Sequence, residues 1–483
     1  MMQQANTLIL FCDQHNPFVS GCYGNENAHT PNIDRLAERG TVFENAYTPN
    51  PICVPARASF ATGDYSFRNR HWDNCHAFDG AEDSWGKRLK ENGVQVTTIG
   101  KLHFKDDSER TFPGQRIPMN VSGGMGDPLT ALRQEGGESS VVIKQLEGTK
   151  VGLSDYMQYD RRIASEAADY LRKEAGKDGK TWCLYVGLTT PHNPLIVPQE
   201  FWDLYRPEQF SVAPEWHDQS GLHPVMQAFR HRMMLDRGLL TDEQIQNAMA
   251  AYYALTSFMD SQVGVILDAL REAGLEESTR VIYMDDHGDC AGDHGIFFKC
   301  NMFEGSVHIP MVVAGPDIPR GQRIQAPSSI VDLYPTLLDF HQVQQTEEEQ
   351  QKPGISLIEH IKGNVPYDRP IYSEYYGVGY AHSVFMLRKG DYKLVYFVGS
   401  EQVSLFDLKR DPGEQHDLGT LEKYQEKIAE LKQALYKIAD PEVLDRESLK
   451  DQQALFTELG GVEAILQKHK AVTPFTAVPE GCK

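Results

Sequence analysis

The chain has 483 residues, 40% hydrophobic and 24% charged, an ordinary globular composition with length for a large core and a second, smaller unit, which excludes a disordered or fibrous protein. Lys and Arg number 47 against 68 Asp and Glu, a net charge of −21, and no basic cluster of the kind that binds nucleic acid or anionic lipid interrupts that acidic background. The 8 cysteines are scattered without CxxC pairs, so neither a zinc cluster nor a dense disulfide frame is indicated and a reducing compartment is expected.

The N-terminal run MMQQANTLILFC lacks a basic segment and reaches Asp13 at once, so it reads as a buried strand over 7 to 12 rather than a signal. No stretch approaches the length of a membrane span, and the expected location is cytoplasmic, or periplasmic if a leader has been removed. NPICVPARASFATG, from 50 to 63, follows. Pro55 is a natural first residue of a helix and Gly63 a natural stop, which predicts Cys53 at the exposed N-terminus of a short helix with Arg57 one turn on. Free N–H groups and the positive helix end favour an anion there.

Further apolar, β-branched runs at 94 to 100, 181 to 188, 280 to 286 and 309 to 315 predict strands. Helical patterns such as RRIASEAADYLRKEAG and NAMAAYYALTSFMDSQVGVILDALREAG lie between them. This alternation predicts an α/β fold, a large, mostly parallel sheet with helices on both faces. The Gln/Glu-rich segment 342 to 354 reads as a solvated loop. From about 366 the texture changes to a hairpin meander followed by a helix, which predicts a larger α/β domain over 1 to 365, a smaller α+β domain over 366 to 440 and a helical tail over 441 to 483.

Ligands of an open α/β sheet bind at the carboxyl ends of its strands, and two strands end in acids: one runs into Asp13-Gln14, the other into Asp285-Asp286-His287. Converging carboxylates with an imidazole suit a hard divalent cation such as Ca²⁺, Mg²⁺ or Mn²⁺. Lys101, His103, His192 and Lys299 follow strands or lie close by. Each alone is an ordinary solvated lysine or satisfied histidine; together with a metal they are what hydrolysis of an anionic ester needs.

CVPARASFATG resembles the signature of the type I sulfatases of the alkaline phosphatase superfamily, C-x-P-x-R with TG downstream, in which the Cys is oxidised to formylglycine. GKLHF, TTPHNP, DDHGDCAGDHGIFFKCNMFEG and LFDLKRDPGEQHDL extend the resemblance over most of the chain in order. It implies a sulfuric ester hydrolase in which the hydrated formylglycine at position 53 is the nucleophile, and in which a formylglycine-generating enzyme acts during maturation. It further implies that Asp13, Asp286, His287 and modified Cys53 hold the metal, Ca²⁺ being favoured, with Gln14 as an optional further ligand. Lys101 and Lys299 would neutralise sulfate, Arg57 would steady the diol, His103 would handle its proton, and His192 is a candidate leaving-group acid. Gln14 stands where many sulfatases carry Asp, and His287 where many carry Asn.

WDNCHAF, FFKCNMFEGS and YSEYYG resemble most the bacterial choline-sulfatase branch, and assign Asn74 and Glu374 to substrate contact. A quaternary ammonium wants an aromatic cage, and no Trp follows GKLHF, so a sulfated sugar is preferred over choline sulfate, with an aryl sulfate also open. The alternatives are a phosphonate monoester or phosphodiester hydrolase of the same superfamily and a non-catalytic binding protein with unmodified Cys53. No nucleic acid or membrane partner is expected, and a homo-oligomer is left open.

Overall fold

The computed structural model describes residues 5–133, 137–469 and 476–482. Residues 1–4 of the N-terminal run, and 470–475 and 483 of the tail read as helical, lie outside the described residues. Eight strands form the main sheet: β1 (Asn6–Asp13), β2 (Gly40–Phe43), β3 (Gln95–Lys101), β4 (Gln115–Met119), β5 (Trp182–Pro191), β6 (Thr279–Asp285), β7 (Met311–Ala314) and β8 (Gln322–Ile324). Their order is β8-β2-β7-β6-β1-β5-β3-β4. The block β6-β1-β5-β3-β4 is parallel, as the apolar runs predict.

Strand β7, expected from 309 to 315, runs antiparallel to β6. The reason lies in its connection. A parallel partner needs a crossover that carries the chain back to the starting edge, whereas the segment after Asp285 stays at the carboxyl end of the sheet and enters β7 from there. The short strands β2, β4 and β8 are additions to the predicted set; their residues GTVF, QRIPM and QRI carry too little alternation to stand out.

Strand β1 shows why the sheet is covered twice. Leu8, Leu10 and Cys12 face one layer, packing with Ile163 and Ala164 of helix α2 (Asp155–Lys173) and Met259 and Val263 of helix α3 (Asp242–Glu272). Ile9 and Phe11 face the other, against Ala56 and Phe60 of helix α1 (Cys53–Thr62) and against Trp85 and Leu337. The 31-residue α3 is fixed at its start by a capping box between Thr241 and Gln244.

A four-stranded antiparallel sheet follows, in the order Ile371–Tyr375, Val384–Lys389, Tyr392–Phe397 and Ser404–Asp407. Its central hairpin turns on Gly390-Asp391, with Gly390 at φ +60°. Ile428, Leu431 and Leu435 of the helix Gln425–Ile438 cover one face through Phe385, Leu387 and Leu394. The helices Pro441–Glu458 and Val462–His469 complete the described tail. In the segment read as a solvated loop, Glu349 is buried, taking hydrogen bonds from Arg88, Tyr334 and Thr346.

Candidate active site

The parallel strands deliver their carboxyl ends to one place. Asp13 ends β1, Lys101 ends β3, His192 follows β5, and Asp286 and His287 follow β6. Helix α1 brings Cys53 to them from the other layer. Cys53 is the first residue of that helix, with Ile52 as its N-cap in extended conformation; Pro55 is third, where its missing N–H deprives no intrahelical bond. The expected exposed start is in fact buried, Cys53 being 2% exposed, because the groups around it close over the thiol. Asn74 supplies the cap that Ile52 cannot: its Oδ1 accepts from Val54 N at 3.1 Å.

Cys53 Sγ lies 3.2 Å from His287 Nε2, 3.3 Å from Lys299 Nζ and 3.8 Å from Asp13 Oδ1. Burial, and then Asp13, push the thiol up to about 12, so at neutral pH the unmodified side chain is a thiol and a poor nucleophile. Lys101 Nζ contacts Asp13 Oδ2 at 2.6 Å. Although burial favours its protonated form, Asp13 is held well below the carboxylate range by Lys101, Arg57 and Lys299. Burial opposes the charge on Lys299, but Cys53, Asp13 and Asp286 outweigh it and raise the ammonium.

Arg57, read above as a group facing the anion, spends all its donors on the protein. Its Nε donates to Asp286 Oδ2 at 2.7 Å and its Nη2 to Asp13 Oδ2 and Cys12 O, while Nη1 donates to Lys101 O and the Tyr185 hydroxyl. It is therefore a brace for both carboxylates and for two strand ends rather than a ligand of the diol or substrate.

Asp13, Cys53, Asp286 and His287 place one donor atom each within 4.8 Å of one another. His287 Nδ1 donates to Gly288 O at 3.1 Å, which leaves Nε2 as the lone-pair nitrogen, and burial lowers its pKa to about 4, so it is neutral and able to ligate. Two carboxylates and one imidazole, braced from behind by Arg57, fit a divalent cation. Gln14 is turned elsewhere: its Nε2 donates to Asp289 Oδ2 at 2.6 Å and its Oε1 accepts from Lys299 Nζ at 2.6 Å. Gln14, with φ +75°, thus aligns the lysine instead of joining the four-donor cluster.

Above this floor opens a cavity of about 560 Å³. His103, His192 and Asn74 line it. His103, at φ +58°, shares a 2.6 Å hydrogen bond between its Nε2 and Thr476 Oγ1, and its buried Nδ1 has no hydrogen-bond partner among the described residues. His192 Nδ1 donates to Asn193 O at 2.8 Å. Burial, with Lys101 for His103 and Lys299 for His192, depresses both imidazoles well below their ordinary value, so both are neutral in the free site. The upper walls are apolar: Val121, Met125, Leu129, Phe229, Leu235 and Ile465.

Glu374 corrects the expectation of a substrate contact. It is fully buried on the strand Ile371–Tyr375 and does not line the cavity. Its oxygens accept from Phe67 N and the hydroxyls of Tyr372 and Tyr376. Asp289, Tyr185 and Thr476 belong to the site yet were not singled out. Asp289 stood in the string DDHGD, but Tyr185 reads as one more apolar strand residue and Thr476 carries no local signal at all.

All eight cysteines are free, and among the described residues no helix is long and apolar enough to cross a membrane. A family model described as Sulfatase matches residues 5–343, and one described as N-sulphoglucosamine sulphohydrolase, C-terminal, matches residues 292–440. The chain is 30% identical over 422 residues to a choline-sulfatase of Rhizobium meliloti (strain 1021), covering 84% of this chain and 81% of that protein. It is 30% identical over 457 residues to arylsulfatase K of Homo sapiens, covering 90% and 82%. Its fold resembles that of BT4656, solved in complex with its substrate D-glucosamine-2-N,6-O-disulfate (TM-score 0.73, 22% identity, 93% of this chain and 99% of that one). A phosphonate monoester hydrolase from Silicibacter pomeroyi shares it as well (TM-score 0.70, 22% identity, 90% and 95%). With the family matched over most of its length, the chain belongs to the type I sulfatases of the alkaline phosphatase superfamily and is a sulfuric ester hydrolase.

Proposed function

We propose that the protein cleaves an organic sulfate monoester at position 53 once Cys53 has been converted to formylglycine, with a divalent cation held by Asp13, Asp286 and His287. The observation that carries this reading is the convergence of two carboxylates, one imidazole and two lysines around one thiol at the base of a cavity. Hydrated formylglycine supplies one hydroxyl to attack sulfur and a second whose deprotonation expels sulfate. A cation in the ligand cluster supplies charge that favours the ionised nucleophile and the sulfate oxygens.

The protein's own residues do the remainder. Lys299, aligned by Gln14, and Lys101, seated on Asp13, set positive charge beside the reacting group. His103 lies on the same floor and, being neutral, can take a proton from position 53. His192 begins neutral because Lys299 and burial disfavour its charge; an incoming sulfate offsets that lysine and lets His192 carry a proton to the leaving oxygen. Asn74, at the helix start, stands between this floor and the alcohol.

The donor set suits a smaller ion than the Ca²⁺ expected from the sequence. Ca²⁺ takes six to eight oxygens. Here an imidazole replaces one oxygen donor and Gln14 is committed to Lys299 and Asp289, which favours Mn²⁺, an ion that accepts a nitrogen ligand more readily than Ca²⁺ or Mg²⁺. The phosphonate monoester or phosphodiester alternative would use the same floor, and relative rates on 4-nitrophenyl sulfate and bis(4-nitrophenyl) phosphate decide between them.

The test is peptide mass analysis of residues 50–63 together with turnover. Active protein is expected to carry the aldehyde at position 53, and Cys53→Ala to lose turnover by at least about 10³-fold with an unchanged melting temperature. Full activity from protein that holds only the thiol overturns the reading.

A further inference from the structure

Resting on the sulfatase reading, we propose that the alcohol of the substrate is uncharged and apolar, an alkyl, alicyclic or aryl group of drug-like size, rather than a sugar or choline. The sulfate floor is the same for any ester, so the choice among alcohols belongs to the walls.

Three features of those walls agree. First, positive charge is confined to the floor. Among the described lining residues Lys101 and Lys299 are the lysines, none is an arginine, and Asp127 is the acidic group. Among those residues a second sulfate or a carboxylate on the substrate would meet no lysine or arginine above the floor and would face Asp127.

Second, several of the polar lining groups are already engaged by the protein. Gln145 Oε1 accepts from Asn193 Nδ2, Thr130 Oγ1 donates to Asp127 O, and Asn74 Oδ1 accepts from Val54 N. Thr476 Oγ1 is shared with His103. A sugar brings several hydroxyls, each of which loses water on entry and needs a partner here.

Third, most of the remaining wall is apolar and drawn from distant parts of the chain: Val121, Met125 and Leu129, then Phe229 and Leu235, and Ile465 from the tail. A cavity of about 560 Å³ falls in the range that encloses drug-sized ligands. Choline would leave most of that volume unfilled.

Primary alkyl sulfates test this with the leaving group held nearly constant. Across ethyl, butyl and hexyl sulfate, kcat/KM is expected to rise about tenfold for each pair of methylenes. Hexyl sulfate should exceed glucose 6-sulfate, and 3,3-dimethylbutyl sulfate should exceed its cationic isostere choline sulfate. Calorimetry on the Cys53→Ala protein, which cannot turn substrate over, should give the same order of binding. A flat chain-length series, or preference for the sugar or choline ester, overturns the proposal while leaving the sulfatase reading intact. Failure to hydrolyse any sulfate ester by protein shown to carry formylglycine removes both, whereas hexyl sulfate binding no tighter than ethyl sulfate removes this proposal alone.

Discussion

Arg57 touches both carboxylates of the four-donor cluster, Asp13 and Asp286, through separate edges of one planar fork. Lysine keeps the charge but has neither the fork nor five fixed donors. Arg57→Lys is therefore expected to release Asp286 or Asp13 from its orientation and to lower metal affinity on the order of 10- to 100-fold. Metal content after dialysis, measured by elemental mass spectrometry, checks this independently of turnover. Glu374 belongs to the same scale with a different consequence. Burial raises its pKa from 4.5 to about 7, so the buried carboxyl is neutral and stable in acid, and folding is penalised as pH rises through 7. Between pH 4.5 and 8 this removes of the order of 3 kcal/mol of stability. Glu374→Gln should flatten that part of the pH–stability curve in urea titrations. Because the side chain sits behind the cavity, Glu374→Ala should lower large and small substrates alike, and a selective loss on one substrate would return Glu374 to the specificity determinants.

Helix α1 is where a local error would reach the chemistry most directly, since it carries both Cys53 and Arg57. Its end depends on Gly63, at φ +69°, where an added Cβ would meet Tyr334 Cβ at 2.4 Å. Gly63→Ala combines backbone strain of about 1–3 kcal/mol with that collision and should lower both the melting temperature and kcat. This helix also shows what could be read from the residues. Its stop and its cysteine were visible because Gly, Pro and a lone thiol act through local geometry. The same holds for β1 and β6, whose apolar runs end abruptly in Asp13 and Asp286. The roles of Arg57 and Glu374 were not visible, because an arginine facing an anion and one bracing two carboxylates have the same neighbours in sequence. Nor were the walls: Val121, Leu235 and Ile465 become one surface only after three separate segments pack.

Across the whole molecule, the small sheet is tied to the catalytic loop by charge buried in protein. Lys393 on the strand Tyr392–Phe397 contacts Glu304 at 2.8 Å and Glu414 at 2.5 Å, and Glu304 N donates to Glu414 Oε2 at 2.6 Å. Despite its burial, Glu304 is held well below its ordinary value, chiefly by Lys393, while burial raises Glu414 to about 7. Lys393→Met leaves two carboxyl groups without their cation, and a loss of about 3–5 kcal/mol is expected in equilibrium unfolding. Adding Glu414→Gln to that variant should recover part of it, which a double-mutant cycle measures.

The Lys393 contact bears on how such a protein can change its diet. Glu304 lies five residues after Lys299, so the C-terminal sheet and the loop that carries Lys299 are fitted to one another, and a C-terminal half without a lysine at 393 would leave Glu304 and Glu414 without that cation. Recombination at the boundary between the two sheets is thereby discouraged. Point changes along the 121–130 segment and at Ile465 would alter the cavity wall without touching that contact.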